Sequence, residues 1–102
     1  MPRFDVFRNP NPRATHALLL DVQSDLVRTA TRWCVPLCQA PADLPVMSRA
    51  QYRLRIAGDD WLLDTPNMLA VPAAVLRESI GRVSRDDQLL VDSAIDFMLR
   101  GY

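Results

Sequence analysis

Apolar residues in this chain keep two different periods, and the change from one to the other falls near residue 84. Up to that point the dominant spacing is two. Tyr52, Leu54 and Ile56 point one way, while Gln51, Arg53 and Arg55 point the other. Gly58-Asp59-Asp60 then turns the chain, and Trp61 and Leu63 resume the apolar face. A period of two marks a strand buried on one face and wet on the other, and two such runs across a short turn read as a hairpin. Phe4 and Val6 alternate with polar neighbours in the same way. Asn9-Pro10-Asn11-Pro12 is a turn, because proline fixes φ and asparagine tolerates turn geometry. Leu18, Leu20 and Val22 share one face of a second strand, with Leu19, Asp21 and Gln23 opposite.

Trp33, Val35 and Leu37 alternate with Cys34, Pro36 and Cys38. Proline cannot donate to a ladder, so this strand is expected at an edge or with a bulge. Ala40 to Pro45 reads as a proline-rich loop. Met68-Leu69-Ala70-Val71-Pro72 is apolar on both faces, which suits a short strand that is buried or lies at an edge.

From Ser84 the period is helical. Ser84 stands three residues before Asp87, a capping arrangement, and Asp86 and Asp87 suit the positive end of a helix dipole. Leu90, Ala94, Phe97 and Met98 make an apolar stripe flanked by Val91, Ile95 and Leu99, with Asp92 and Asp96 on the polar side. Arg100 is placed to pair with Asp96 one turn back, and Gly101 is a helix stop. The fold class expected is mainly β with a C-terminal α-helix. The whole chain, 1–102, reads as a single domain with a strand-rich body over 1–80 and a helix at about 85–100.

Charge and composition narrow the function. Twelve basic residues, all arginine, balance twelve acids, eleven of them aspartate, for a net charge of zero. A free nucleic-acid binder usually carries a basic surplus to neutralise phosphates, so that class is disfavoured. No run approaches the ~20 apolar residues of a membrane span. The longest, Met68 to Leu76, is interrupted by Pro72. With no apolar signal region at the N-terminus, a cytoplasmic location is expected.

The reactive residues form no catalytic set. Cys34 and Cys38 are four apart, about 13 Å along a strand, too far for a disulfide. His16 is the only histidine, and two thiols with one imidazole are too few for zinc. His16 reads as a surface residue beside the proline turn. Three glycines offer no phosphate-binding loop. Neither a metal nor a cofactor is expected, and no catalytic residue is assigned.

An ordered series of short runs carries a family resemblance: Leu20-Asp21-Val22-Gln23-Ser24-Asp25, then Val35-Pro36-Leu37, Trp61, Met68 to Pro72, Ser84 and the penultimate Gly101. In this order, over nearly the whole chain, they resemble CcdB, the toxin family of the CcdA/CcdB toxin–antitoxin pairs. The resemblance implies an SH3-like barrel of antiparallel strands with a C-terminal helix. It implies a homodimer with the C-terminal ends near the two-fold axis. It further implies poisoning of DNA gyrase through the A subunit, by trapping the cleaved DNA complex. A CcdA-like antitoxin would release gyrase, and the pair would repress its own operon, the toxin reaching DNA only through antitoxin or gyrase.

Residue by residue, the gyrase-contacting end of the family maps onto Asp96, Leu99, Arg100, Gly101 and Tyr102. An apolar pair after the DVQSD run maps onto Leu26 and Val27. As strand neighbours, one of these two would face away from the core, and an exposed aliphatic patch is a contact or dimer surface. The chain departs from the family at its end: Arg100 stands where the family presents tryptophan, and Tyr102 replaces an aliphatic residue. Two alternatives stand beside the gyrase reading. One is a MazF/Kid-like endoribonuclease that recruits His16, Arg53 and Arg55 for acid–base chemistry. The other is a non-toxic relative that binds only its antitoxin.

Overall fold

One long strand, Thr31–Gln39, organises the sheet. The structure, a computed structural model, describes residues 2–40 and 49–101. The strands are β1 (Asp5–Arg8), β2 (Leu18–Asp21), β3 (Thr31–Gln39), β4 (Gln51–Ile56), β5 (Asp59–Asp64), β6 (Leu69–Pro72) and β7 (Ser79–Arg82), followed by helix α1 (Arg85–Arg100). They form a seven-stranded sheet in the order β4-β5-β3-β2-β1-β7, with β6 paired to β3 off this path. Every pairing is antiparallel. The sheet curls into a half-barrel with one C-terminal helix, consistent with the SH3-like barrel expected from the sequence. Most of the proline-rich segment after Ala40 lies outside the described residues, as does Tyr102.

Pro36 is accommodated differently from the expectation. β3 is central rather than an edge, and Pro36 pairs in register with Leu19 of β2. The carbonyl of Trp33 accepts from Val22 N–H at 3.0 Å, so odd residues of β3 aim their backbone groups toward β2. Even residues aim the other way, where pairing with β6 stops at Cys34, opposite Leu69, and pairing with β5 starts at Leu37, opposite Leu63. The missing N–H of Pro36 therefore points into the gap between two partner strands, and no ladder bond is lost.

The β4–β5 hairpin is tighter than its sequence suggests. Asp59 and Asp60 belong to β5, and Ile56 pairs directly with Asp59 across Ala57-Gly58. Ala57 and Gly58 have φ of 51° and 89°, as a two-residue type I′ turn requires. β6 pairs only with β3 and buries only Val71, so of the two placements its apolar faces allowed, it takes the edge.

The main core joins Val6, Leu20, Val35, Leu37, Leu54, Ile56 and Leu63 to Val91 and Ala94 of the helix. On the opposite side of the sheet, Phe7, Leu19, Cys34, Val71 and Leu76 form a second cluster. β2 is thus covered on both faces, and all four of its residues are buried. The helix begins as the sequence indicates. Ser84 Oγ accepts from Asp87 N–H at 3.2 Å, a cap of about 1 kcal/mol. It ends on left-handed Gly101, whose N–H donates to Phe97 O at 2.8 Å.

Two details of the helix differ from expectation. Of the expected stripe Leu90, Ala94, Phe97 and Met98, only Ala94 is fully buried, joined by the expected flank residue Val91 and by half-buried Ile95 and Phe97. The small Ala94 lies in the core, while Leu90 and Met98 are displaced to the exposed flanks. Among the described residues, no ion pair joins Asp96 to Arg100. No described helix is long and apolar enough to cross a membrane.

Candidate functional site

The loop from β2 to β3 is built by the Asp21-Val22-Gln23-Ser24-Asp25 run itself. Asp21 is fully buried, and its carboxylate accepts from Arg32 Nε at 2.8 Å and from Arg32 Nη2 at 3.0 Å. Arg32 Nη2 also donates to Gln23 O at 3.1 Å and to Asp25 Oδ1 at 3.2 Å. Gln23 spans the loop: its Nε2 donates to Val27 O at 2.7 Å, and its Oε1 accepts from Trp33 N–H at 3.0 Å. Ser24 Oγ accepts from Leu26 N–H at 3.2 Å. Asp25 accepts the Arg3 backbone N–H on both oxygens, which, together with Arg32, holds its carboxyl below the usual range. Asp21 at the loop's base and Gln23 within it are buried polar groups with partners, as burial demands.

This scaffold presents Leu26 and Val27. Neither lies in a strand, contrary to the sequence reading; Leu26 sits in a turn, and both side chains face outward, at 92% and 49% exposure. A strand would have hidden one of them. The turn exposes both.

A groove of about 420 Å³ runs beside Val27, floored by Val22, Trp33, Met68 and Ile95 and rimmed by Arg3, Gln23 and Ser24. A second groove of about 450 Å³ lies between Trp33, Pro66, Met68, Met98 and Leu99. The two share Trp33 and Met68, so they form one apolar face from the β2–β3 loop to the end of α1. Trp33 is 49% exposed and Leu99 70% exposed. A contiguous exposed patch of this kind marks an interaction surface.

Of the sequence-assigned residues, Val27 and Leu99 line the two adjoining grooves, and Leu26 projects beside them. Asp96, Arg100 and Gly101 are exposed at the helix end, and Tyr102 lies outside the described residues. The centre of the face was not foreseen. Trp33 lies on an alternating face of β3 in sequence, yet it stands half-exposed where β3 pairs with the edge strand β6, beside Met98 and Leu99 of α1. It pairs in register with Ala70, a side chain too small to cover an indole, and that register is set only by the fold. Arg49, with φ of 67°, lays its guanidinium 4.7 Å from the Phe97 ring centroid and braces the same helix end.

The reactive residues lie elsewhere and are occupied. His16 is half-buried rather than a free surface residue, because its Nε2 lies 2.7 Å from Asp64 Oδ2. Gln51 Nε2 and Asn67 Nδ2 also donate to Asp64, at 3.0 and 2.7 Å. Arg53 donates to Ala40 O at 3.2 Å, and Arg55 lies 3.9 Å from Asp60. The Cys34 thiol is buried, which with the nearby Asp21 charge pushes it up to about 12, and burial also raises Cys38. Both cysteines are free. Among the described residues no three metal-ligating side chains gather.

Burial opposes the charge on Asp64, but the bonds from Asn67, Gln51 and His16 outweigh it and hold the carboxyl below its ordinary value. A depressed folded value means that the charged cluster stabilises the fold above the unfolded carboxyl range, near pH 4, and is lost as pH falls through the folded value. Asp64→Asn is therefore expected to lower the urea midpoint at pH 7 and to narrow the difference between pH 7 and pH 3. Equal loss at both pH values would rule out the charge as the cause.

The loop, the apolar face and the helix end are thus positioned without a catalytic cluster among the described residues. The family model for the CcdB protein matches residues 3–101. That match takes in nearly the whole chain, including the DVQSD loop and the final helix, and the chain therefore belongs to the CcdB family of toxins.

Proposed function

We propose that this chain is a toxin that binds the A subunit of DNA gyrase and poisons it by trapping the cleaved DNA complex. It acts by binding and is not itself an enzyme. The observation that carries the reading is the continuous face from Leu26 and Val27, through Trp33 and Met68, to Leu99. Asp96, Arg100 and Gly101 border it, with Tyr102 next in the chain. Trp33 is the aromatic anchor that Arg100 does not provide at the helix end; tryptophan and arginine are both typical of interface hot spots.

The toxin works in the cytoplasm as a homodimer, the helix ends of two copies meeting near a two-fold axis. The exposed Met98 and Leu99 support that arrangement, since a symmetric contact buries each patch against its own copy. A CcdA-like antitoxin binds the toxin, releases gyrase, and supplies the DNA contacts by which the pair represses its operon. The neutral net charge is consistent with partners that are proteins.

The test is a supercoiling and DNA-cleavage assay with purified gyrase. Micromolar toxin is expected to stop supercoiling and accumulate cleaved DNA, and a CcdA-like peptide to reverse both. Unchanged supercoiling with no cleaved complex would overturn the reading. Cleavage of single-stranded RNA, lost on His16→Ala, would replace it with the endoribonuclease alternative. Normal growth of a host expressing soluble protein that still binds the antitoxin would favour the non-toxic one.

A further inference from the structure

Leu26 and Leu99 sit on elements more than seventy residues apart in sequence, and a two-part contact surface works only if those elements keep a fixed relation. The Arg3 side chain is placed to hold them. Its Nε donates to Val22 O at 2.8 Å, at the root of the β2–β3 loop. Its Nη2 donates to Asp92 Oδ1 at 2.7 Å, in the middle of α1. The guanidinium rests 4.3 Å from the Phe4 ring centroid, which fixes its plane between the two. Arg3 also lines the groove beside Val27 and Ile95, where loop and helix face each other.

Resting on the gyrase reading, we propose that Arg3 is a positioning residue for that contact: it latches the loop bearing Leu26 and Val27 to the helix bearing Leu99. The pair is half-exposed, with side-chain exposures of 32% for Arg3 and 45% for Asp92. Exposed ion pairs contribute little to global stability. The two bonds require a planar donor whose Nε and Nη2 act at once. Lysine supplies a single point charge and cannot make both. The Arg3 backbone N–H keeps its bonds to Asp25 whatever the side chain, so a substitution isolates the latch.

The experiment compares the full chain with Arg3→Ala, Arg3→Lys and Asp92→Asn. Amide exchange at Leu26 and Val27, the thermal midpoint and the concentration that half-inhibits gyrase are measured for each. Arg3→Ala is expected to speed exchange at Leu26 and Val27 about tenfold and to raise the half-inhibiting concentration about tenfold. The thermal midpoint should move by only a few degrees, and Arg3→Lys should fall between wild type and alanine. Unchanged loop exchange, or exchange that rises only in step with the whole chain, would overturn the latch. Faster loop exchange with unaltered gyrase inhibition would overturn its positioning role. If Arg3→Ala does not fold, Asp92→Asn removes the helix half of the tie and is read in the same way. If the wild type leaves gyrase untouched, the gyrase reading fails, and loop exchange still decides the latch.

Discussion

Asp21→Ala is expected to destabilise the fold by about 3–5 kcal/mol, because it leaves the buried Arg32 guanidinium without its main counter-charge. Asp21 is fully buried and Arg32 nearly so. Both Nε and Nη2 of Arg32 bond the Asp21 carboxylate. A guanidinium is effectively always protonated, so no working pH relieves the stranded charge by deprotonation. Gln23 O and Asp25 would remain as partners, but Asp25 is itself exposed and serves the Arg3 backbone. For a domain of this length each 1 kcal/mol is about 4–8 °C, so the midpoint is expected to fall by roughly 12–40 °C. The double variant Asp21→Leu with Arg32→Met removes both charges and is expected to regain most of that stability. It should not regain gyrase inhibition, since the arginine bonds that close the loop on Gln23 O and Asp25 are also gone. Thermal melts of the two singles and the double, set in a cycle, check this. A single-variant loss under about 1 kcal/mol would show that the ion pair is not what holds the loop.

That network also marks the limit of what the sequence could convey. The period-two run from Tyr52 to Ile56 identified β4 because one face of that strand is wet, and alternation reports such a face directly. Of the next strand only Leu20 to Gln23 alternates, whereas Leu18-Leu19-Leu20 is apolar on both faces, and β2 is covered on both sides by separate clusters. Alternation distinguishes two faces; it does not say whether a second layer covers the polar one. Asp21 therefore read as a strand residue on the far face, when it is the buried anchor of the loop. The helix was legible in its caps, because Ser84 and Gly101 act within their own turns. Its rotation was not, since a helix apolar over Leu89, Leu90, Val91, Ala94 and Ile95 offers several lines to a sheet. The choice of Val91 and Ala94 is made by the packing. Trp33 keeps the alternation of β3 in sequence, and only the fold leaves it half-exposed between Met68 and the Met98–Leu99 end of α1. Leu26, Val27 and Leu99 as proposed contact residues rest on family resemblance. What joins them, through Trp33, Met68 and Arg3, appears only when the chain is folded.

Leu26→Asp and Leu99→Asp are each expected to weaken gyrase inhibition at least about thirtyfold, the scale of a hot-spot contact of about 2 kcal/mol. Both side chains are largely exposed, so stability should change by less than about 0.5 kcal/mol, as for surface substitutions elsewhere. Leu89→Asp is the matched control. Leu89 is as exposed as Leu99 and lies on the same helix, but ten residues earlier, about 15 Å along the axis. It should leave inhibition within about twofold of wild type. If Leu89→Asp cost as much as Leu99→Asp, general repulsion rather than the face would explain the loss. Light scattering separates the two surfaces that the helix end serves. If Leu99→Asp yields monomers while Leu26→Asp stays dimeric, the helix end helps form the two-fold seam, and the loop makes the more direct gyrase contact. If both stay dimeric and both lose inhibition, the two ends of the groove act on gyrase together. The combined variant then decides whether the ends act as one surface. Losses that add would describe two independent footholds, whereas a combined loss no greater than either single one is the signature of a contact that forms whole or not at all.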